Sequence, residues 1–164
     1  GVASARVDDI TGDPVVVGDR IYTGSHSGRT VALSLGSGNR LWTAEEGPLN
    51  PVWPAGDSVF MVTDRNELVR LATEDGTRIW GHELPLFADR KPKRQAEIVG
   101  HFGPILAGGQ LILASGDGQL RFFDPASGQM TGARDLPGGA TSNPVVAGNT
   151  LYVVSKKGQL LAFR

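Results

Sequence analysis

The side chains of this sequence that could do chemistry are few and widely separated. His26, His82 and His101 are its three imidazoles, and no two stand at the short spacing from which a pair of histidines grips one metal ion. Each is expected in a surface or structural role, His26 in a turn and His101 beside an insertion. Asp8 and Asp9 make a carboxylate pair of the kind used in acid–base work. On adjacent residues of an irregular segment the two need not converge, and a solvated connector accounts for them. GQLILASGDGQL, residues 109–120, is glycine-rich, but its G-x-G falls inside a hairpin, so it is no phosphate loop. Cysteine is absent, which removes disulfides, thiol chemistry and thiolate metal sites together.

Charge narrows the classes further. The 16 Lys+Arg against 17 Asp+Glu leave no basic excess for a nucleic-acid footprint. No run of about 18 apolar residues could form a spanning helix, and GVASARVDD lacks the basic start and apolar stretch of a signal peptide. One basic cluster stands out: Arg90, Lys91, Lys93 and Arg94 around Pro92, after the apolar Leu84, Leu86 and Phe87. It reads as a solvated surface loop, with docking to an acidic partner or anionic lipid headgroups as the alternative.

The elements that must carry these groups are written as a repeat. DPVVVGDRIYTGSHSGRTVALSLGSGNRLW (13–42), NPVWPAGDSVFMVTDRNELVRLATEDGTRIW (50–80), GPILAGGQLILASGDGQLRFFDPASGQMTG (103–132) and NPVVAGNTLYVVSKKGQLLAFR (143–164) align as four units. Gly18, Gly56, Gly108 and Gly148 are equivalent, with steps of 38, 52 and 40 residues. Short apolar runs and evenly spread turn residues at a period near 40 predict an all-β protein, a propeller of four-stranded antiparallel blades. The organisation is a connector at 1–12, then blades at 13–49, 50–102 (with an inserted loop at 85–101) and 103–142, and a shorter one at 143–164.

Turn chemistry agrees. Gly18-Asp19, Gly56-Asp57, Gly108-Gly109 and Gly148-Asn149 have the Gly-X pattern of a type II′ hairpin turn. The second hairpins turn at 26–28, 64–66, 116–118 and 156–158, ending in Gly, Asn, Gly and Gly, residues that tolerate a left-handed backbone. The runs VVV, LILA and LYVV are continuously apolar, which predicts strands covered on both faces, as in blades sandwiched between neighbours.

An eleven-residue phrase recurs inside the units: ALSLGSGNRLW (32–42), RLATEDGTRIW (70–80) and FFDPASGQMTG (122–132). Trp42 and Trp80 fall at one repeat position, and docking of blade on blade explains both. The third copy has Gly132 there. Trp53, in NPVWP, is expected in the core, with the lining of a central channel as the alternative.

The phrase resembles the A-x-D-x-x-T-G-x-x-x-W docking motif of quinoprotein-type propellers, with Ser34 and Ala72 at its acidic position. From end to end the chain resembles the C-terminal half of the BamB family, lipoproteins of the outer-membrane β-barrel assembly machine. ARVDDITGDPVVVGDRIY, NELVRLATEDGTRIW and GNTLYVVSKKGQLLAFR carry that resemblance, as does the missing tryptophan of the last complete repeat. It implies an eight-bladed propeller of which about four blades are here, a periplasmic scaffold without catalysis or cofactor, and a lipid anchor on an upstream cysteine. The implied partners are the POTRA domains of BamA-like proteins and nascent outer-membrane proteins. An acidic interblade linker contributes in the family; its counterpart here is ARVDDITGDP, with Asp9 on one acidic position, Thr11 on the other and Asp8 adjacent. Two further readings are a fragment of a PQQ-dependent quinoprotein dehydrogenase, which would need calcium and a general-base Asp, and a propeller that binds an unrelated envelope protein. A half propeller is also expected to pair with a second copy or with the missing N-terminal half; a closed four-bladed ring clasped by residues 3–8 is the alternative.

Overall fold

A computed structural model describes residues 12–25, 28–87 and 98–164. Among these, every regular element is a strand, in four antiparallel sheets with neighbours in chain order. The first blade is β1 (Val15–Val17), β2 (Arg20–Ser25), β3 (Arg29–Ser34) and β4 (Arg40–Ala44). The second is β5 (Trp53–Ala55), β6 (Ser58–Val62), β7 (Glu67–Ala72) and β8 (Arg78–Glu83). The third is β9 (His101–Ala107), β10 (Gln110–Ser115), β11 (Gln119–Phe123) and β12 (Met130–Asp135). The fourth has three strands, β13 (Val145–Ala147), β14 (Thr150–Val154) and β15 (Leu160–Phe163). The inserted stretch lies between β8 and β9, with Phe87 bridged to Ile98. His101 is the first residue of β9 rather than the last of the loop.

Two of the four inner turns depart from the type II′ expectation. Gly108 and Gly109 both have positive φ (58° and 75°), as do Gly148 and Asn149 (54° and 59°). Left-handed backbone at both central residues is the type I′ pattern, which twists with the strands equally well. At Gly18 and Gly56 only the first central residue is left-handed, as expected. The second hairpins behave as read: Gly28, Asn66, Gly118 and Gly158 all have positive φ.

Three apolar clusters hold the blades together, each between consecutive sheets. Tyr22, Ala32, Trp42, Val59, Met61 and Val69 join the first blade to the second. Phe60, Val62, Leu68, Leu111, Leu113 and Phe123 join the second to the third. Ile105, Ile112, Leu120, Leu136, Leu151 and Val153 join the third to the fourth. No such cluster among the described residues joins the fourth to the first. The two-faced burial expected of the apolar strands accordingly holds only inside the stack. Leu111 to Ala114 are buried throughout, whereas Val16 (53% exposed), Val17 (49%) and Val154 (37%) are not. Among the described residues the first and fourth blades each share an apolar cluster with one other blade only.

Candidate functional site

The repeated phrase builds the seam between blades. In register, Trp42 stands opposite Ala32, Trp80 opposite Arg70 and Gly132 opposite Phe122, each followed by a bulge at the next pair. The Trp42 side chain reaches onto the next blade, where its Nε1–H donates to the Thr73 carbonyl at 2.8 Å. Arg20 Nη1 donates to the same carbonyl. The Trp80 Nε1–H donates to Pro125 O at 3.2 Å, and the neighbouring His82 Nε2 meets Ser127 O at 3.1 Å. The third copy keeps the motif's carboxylate instead of its indole: Asp124 accepts from the backbone N–H (2.7 Å) and hydroxyl (2.8 Å) of Ser127, closing the turn.

The pair with the geometry of a nucleophile and its base is His101 and Ser115, with Nδ1 and Oγ 2.7 Å apart. A register shift between Ile112 and Ala114 sets Ser115 directly opposite His101 across β9 and β10. His101 Nε2 lies 3.0 Å from Pro85 O, a pure acceptor, so Nε2 carries the proton and Nδ1 accepts from the Ser115 hydroxyl. Both residues are buried, Ser115 completely. Burial pushes the His101 pKa below its ordinary value, and the positive Arg121 works in the same direction, against Pro85 O and Asp117. Asp117 and Arg121 form an ion pair with Nη1–Oδ1 at 3.0 Å. Burial would raise the Asp117 pKa, but the guanidinium outweighs it and holds the carboxyl below its usual value. The arrangement fixes the start of the third blade to the stretch after β8.

A second polar group crosses a seam. Arg78 Nη1 meets Glu46 Oε1 at 3.0 Å and Nη2 meets Glu67 Oε1 at 2.8 Å. Its pKa is raised, chiefly by the hydrogen bond to Glu67. Glu46 is buried and its Oε2 has no hydrogen-bond partner. Among the described residues no group of three or more His, Asp or Glu is disposed to hold a metal ion.

The inner strands and the segments leading into them surround a cavity of about 330 Å³, lined by Val17, Trp53, Pro104 and Pro144 among others. Trp53 is 37% exposed there, so it lines the channel and is not a core residue. On β5 it pairs with Phe60, and neighbouring residues of one strand alternate faces. Two asparagines that sequence reasoning passed over tie the blades together near this cavity. Asn50 Nδ2 donates to His101 O at 2.9 Å, and the Gly103 N–H donates to Asn143 Oδ1 at 2.8 Å. Both occupy the Asn-Pro that opens a unit, which was the available signal.

Asp8, Asp9, Thr11, His26 and the basic cluster Arg90, Lys91, Lys93 and Arg94 lie outside the described residues. Trp42 and Trp80 each lie on a seam between consecutive blades.

The profile of the family described as outer membrane protein assembly factor BamB matches residues 1–82 and 87–164. The outer membrane protein assembly factor BamB of Shewanella oneidensis is 25% identical over 158 residues, covering 94% of this chain and 37% of that one. The chain thus spans a little over a third of the length of the curated relatives it matches, 36–39%. Among solved structures, BamB from Moraxella catarrhalis superposes with a TM-score of 0.75 at 22% identity, over 94% of this chain and 49% of that one. The quinohemoprotein alcohol dehydrogenase of Comamonas testosteroni superposes at 0.65 and 15% identity, over 88% and 29%. Both share the propeller fold.

Proposed function

This chain belongs to the outer membrane protein assembly factor BamB family, and on that premise we propose that it is a non-catalytic propeller scaffold supporting the assembly and insertion of outer-membrane β-barrel proteins. The family match along nearly the whole chain is the observation that carries the reading. The seams support it: the best-placed nucleophile and base, Ser115 and His101, are turned into the core and engaged with Pro85 O. A protein with its hydrogen-bonding chemistry used to fix blade to blade offers a rigid surface to partners.

The finer reading follows the resemblance. The site of action is the periplasmic face of the outer membrane, reached through a lipid anchor carried by the whole protein. The partners are the POTRA domains of a BamA-like protein, with nascent outer-membrane proteins as cargo. Contact is made through the segment containing Asp8, Asp9 and Thr11, where negative charge speeds and orients encounter with a complementary surface. The test is calorimetric titration of POTRA domains at low salt. Asp9→Arg is expected to weaken binding about tenfold with no change in thermal midpoint. Equal affinities of wild type and variant count against this contact, and absence of binding by the wild type counts against the POTRA partner itself.

A further inference from the structure

One rim of the first seam is built from different chemistry than the same rim of the other two. In register, Thr30 stands opposite Ala44, Leu68 opposite His82 and Leu120 opposite Arg134. Two residues beyond those partners lie Glu46, Leu84 and Leu136. The second and third blades therefore bury a pair of leucines here, Leu68 with Leu84 and Leu120 with Leu136. The first blade buries a threonine and a glutamate instead, Thr30 completely and Glu46 with 7% exposed. Thr30 Oγ1 donates to Glu46 O at 2.6 Å and lies 3.6 Å from Met61 Sδ of the second blade. The Glu46 carboxylate meets Arg78, whose side chain lies over Gly81; a β-carbon there would collide with the guanidinium. One seam is thus closed at this rim by charge where two are closed by hydrocarbon.

We propose that the first seam is a hinge, opening at the Glu46 rim as a local, reversible event while both blades stay folded and the other two seams stay shut. Exposing leucines to water is penalised in proportion to their area. Exposing a buried ion pair is penalised less, because each group regains the hydration that burial removed. Glu46 regains most, since its Oε2 has no hydrogen-bond partner among the described residues in the closed seam. The opposite rim supplies the pivot. There the Trp42 indole donates to the Thr73 carbonyl at 2.8 Å and rests on Gly76, and β4 runs from this anchor towards Glu46. Gly47 packs so tightly on the first blade that a β-carbon would lie 2.7 Å from the Gly28 nitrogen. Its carbonyl accepts from the Asp64 N–H of the second blade at 2.8 Å, so this bond crosses the rim that opens. The corresponding bond of the second seam runs from the Gly116 N–H to Gly100 O, also at 2.8 Å. The proposal does not depend on the assembly role.

Native-state hydrogen exchange of the isotopically labelled chain in low urea reads the opening directly. Relative to its rate in an unstructured chain, the Asp64 amide is expected to exchange about tenfold faster than that of Gly116. Its rate should depend little on urea, because a local opening exposes little surface. Glu46→Leu combined with Arg78→Met gives the first seam the leucine of the other two, and the methionine that the third blade has at this register position. In that double variant the Asp64 amide should slow about tenfold, with Gly116 unchanged. Equal protection of Asp64 and Gly116 in the wild type would overturn the proposal. So would a urea slope at Asp64 as steep as that of global unfolding, or an Asp64 rate unmoved by the double variant. Should the double variant not fold, the wild-type rates and their urea slope decide it.

Discussion

Trp42 and Gly76 meet so closely that the glycine is required by its partner. A β-carbon on Gly76 would lie 2.6 Å from Cε3 of the indole, and φ at this residue is +75°. The same relation recurs one blade on, where a β-carbon on Gly128 would lie 2.7 Å from Cε3 of Trp80. Each glycine serves two ends, a left-handed turn and a flat seat for the ring. Gly38 separates them, with a similar φ of +70° and open space around its β-carbon position. Gly38→Ala is expected to cost about 1 kcal/mol for backbone strain alone. Gly76→Ala should add about 1–3 kcal/mol of overpacking. Urea midpoints of the two variants check this; equal midpoints would mean that the seat tolerates a methyl group.

Removing the ring itself should cost more at Trp42 than at Trp80. Trp42 is 7% exposed, packs against Tyr22 with ring centroids 6.0 Å apart, and makes the shorter hydrogen bond. Trp42→Ala is expected to destabilise by about 3–5 kcal/mol, the range for a buried large-to-small change. Trp80 is only half-buried, so Trp80→Ala should fall below that range. Denaturation midpoints unchanged in both variants would remove the docking role.

The seams were readable because a repeat exposes equivalence: two tryptophans and three turn glycines at one phase identify an interface without any contact being known. What the repeat averages away was not readable. His101 finds Ser115 through a register shift confined to the third blade. Its other nitrogen meets Pro85 in the stretch after β8, which has no counterpart in the other units. For Trp53 the sequence leaves two readings open, the core and the lining of a central channel. Which face of a three-residue inner strand it occupies depends on pairing with β6, and alternation cannot be counted over so short a run. Glu46 is one of two adjacent glutamates in the sequence, and its pairing with Arg78, 32 residues away, leaves no mark there.

His101 makes stability depend on pH in a defined direction. Its folded-state pKa lies below the ordinary 6.5, with burial as the largest cause and Arg121 and Asp117 as the facing charges. Above pH 6.5 both folded and unfolded chains hold the ring neutral, and its contribution is fully present. As pH falls below 6.5 the unfolded chain takes the proton first, so stability is lost until the folded-state pKa is reached. His101→Gln cannot titrate and should flatten this part of the profile, at an additional cost of about 1–3 kcal/mol for the altered hydrogen bonds. Urea midpoints between pH 7.5 and 5.5 provide the check. A wild-type slope no steeper than that of His101→Gln would assign the dependence to other groups.

The two ends of the stack present complementary faces. Val145, Tyr152 and Ala162 stand in the same cross-strand register in the fourth blade as Val15, Tyr22 and Ala32 in the first. In the first blade that face packs on the second, through Tyr22 and Ala32. In the fourth it is open, with Val145 59%, Val154 37% and Leu160 67% exposed. The face able to cover it is the opposite side of a blade, where Val16, Ile21 and Leu33 share a register row. The first blade carries that side open, with Val16 53% and Leu41 46% exposed. Apolar surfaces of this kind seldom stay in water, and a head-to-tail contact that closes after two copies leaves neither face uncovered. The isolated chain is therefore expected to run at twice its own mass in light scattering at micromolar concentration. Leu160→Asp, which puts a charge on one of the two faces, should shift it to monomer and raise binding of an apolar dye. A wild-type chain that is monomeric throughout and binds no dye would show that the end faces need no cover.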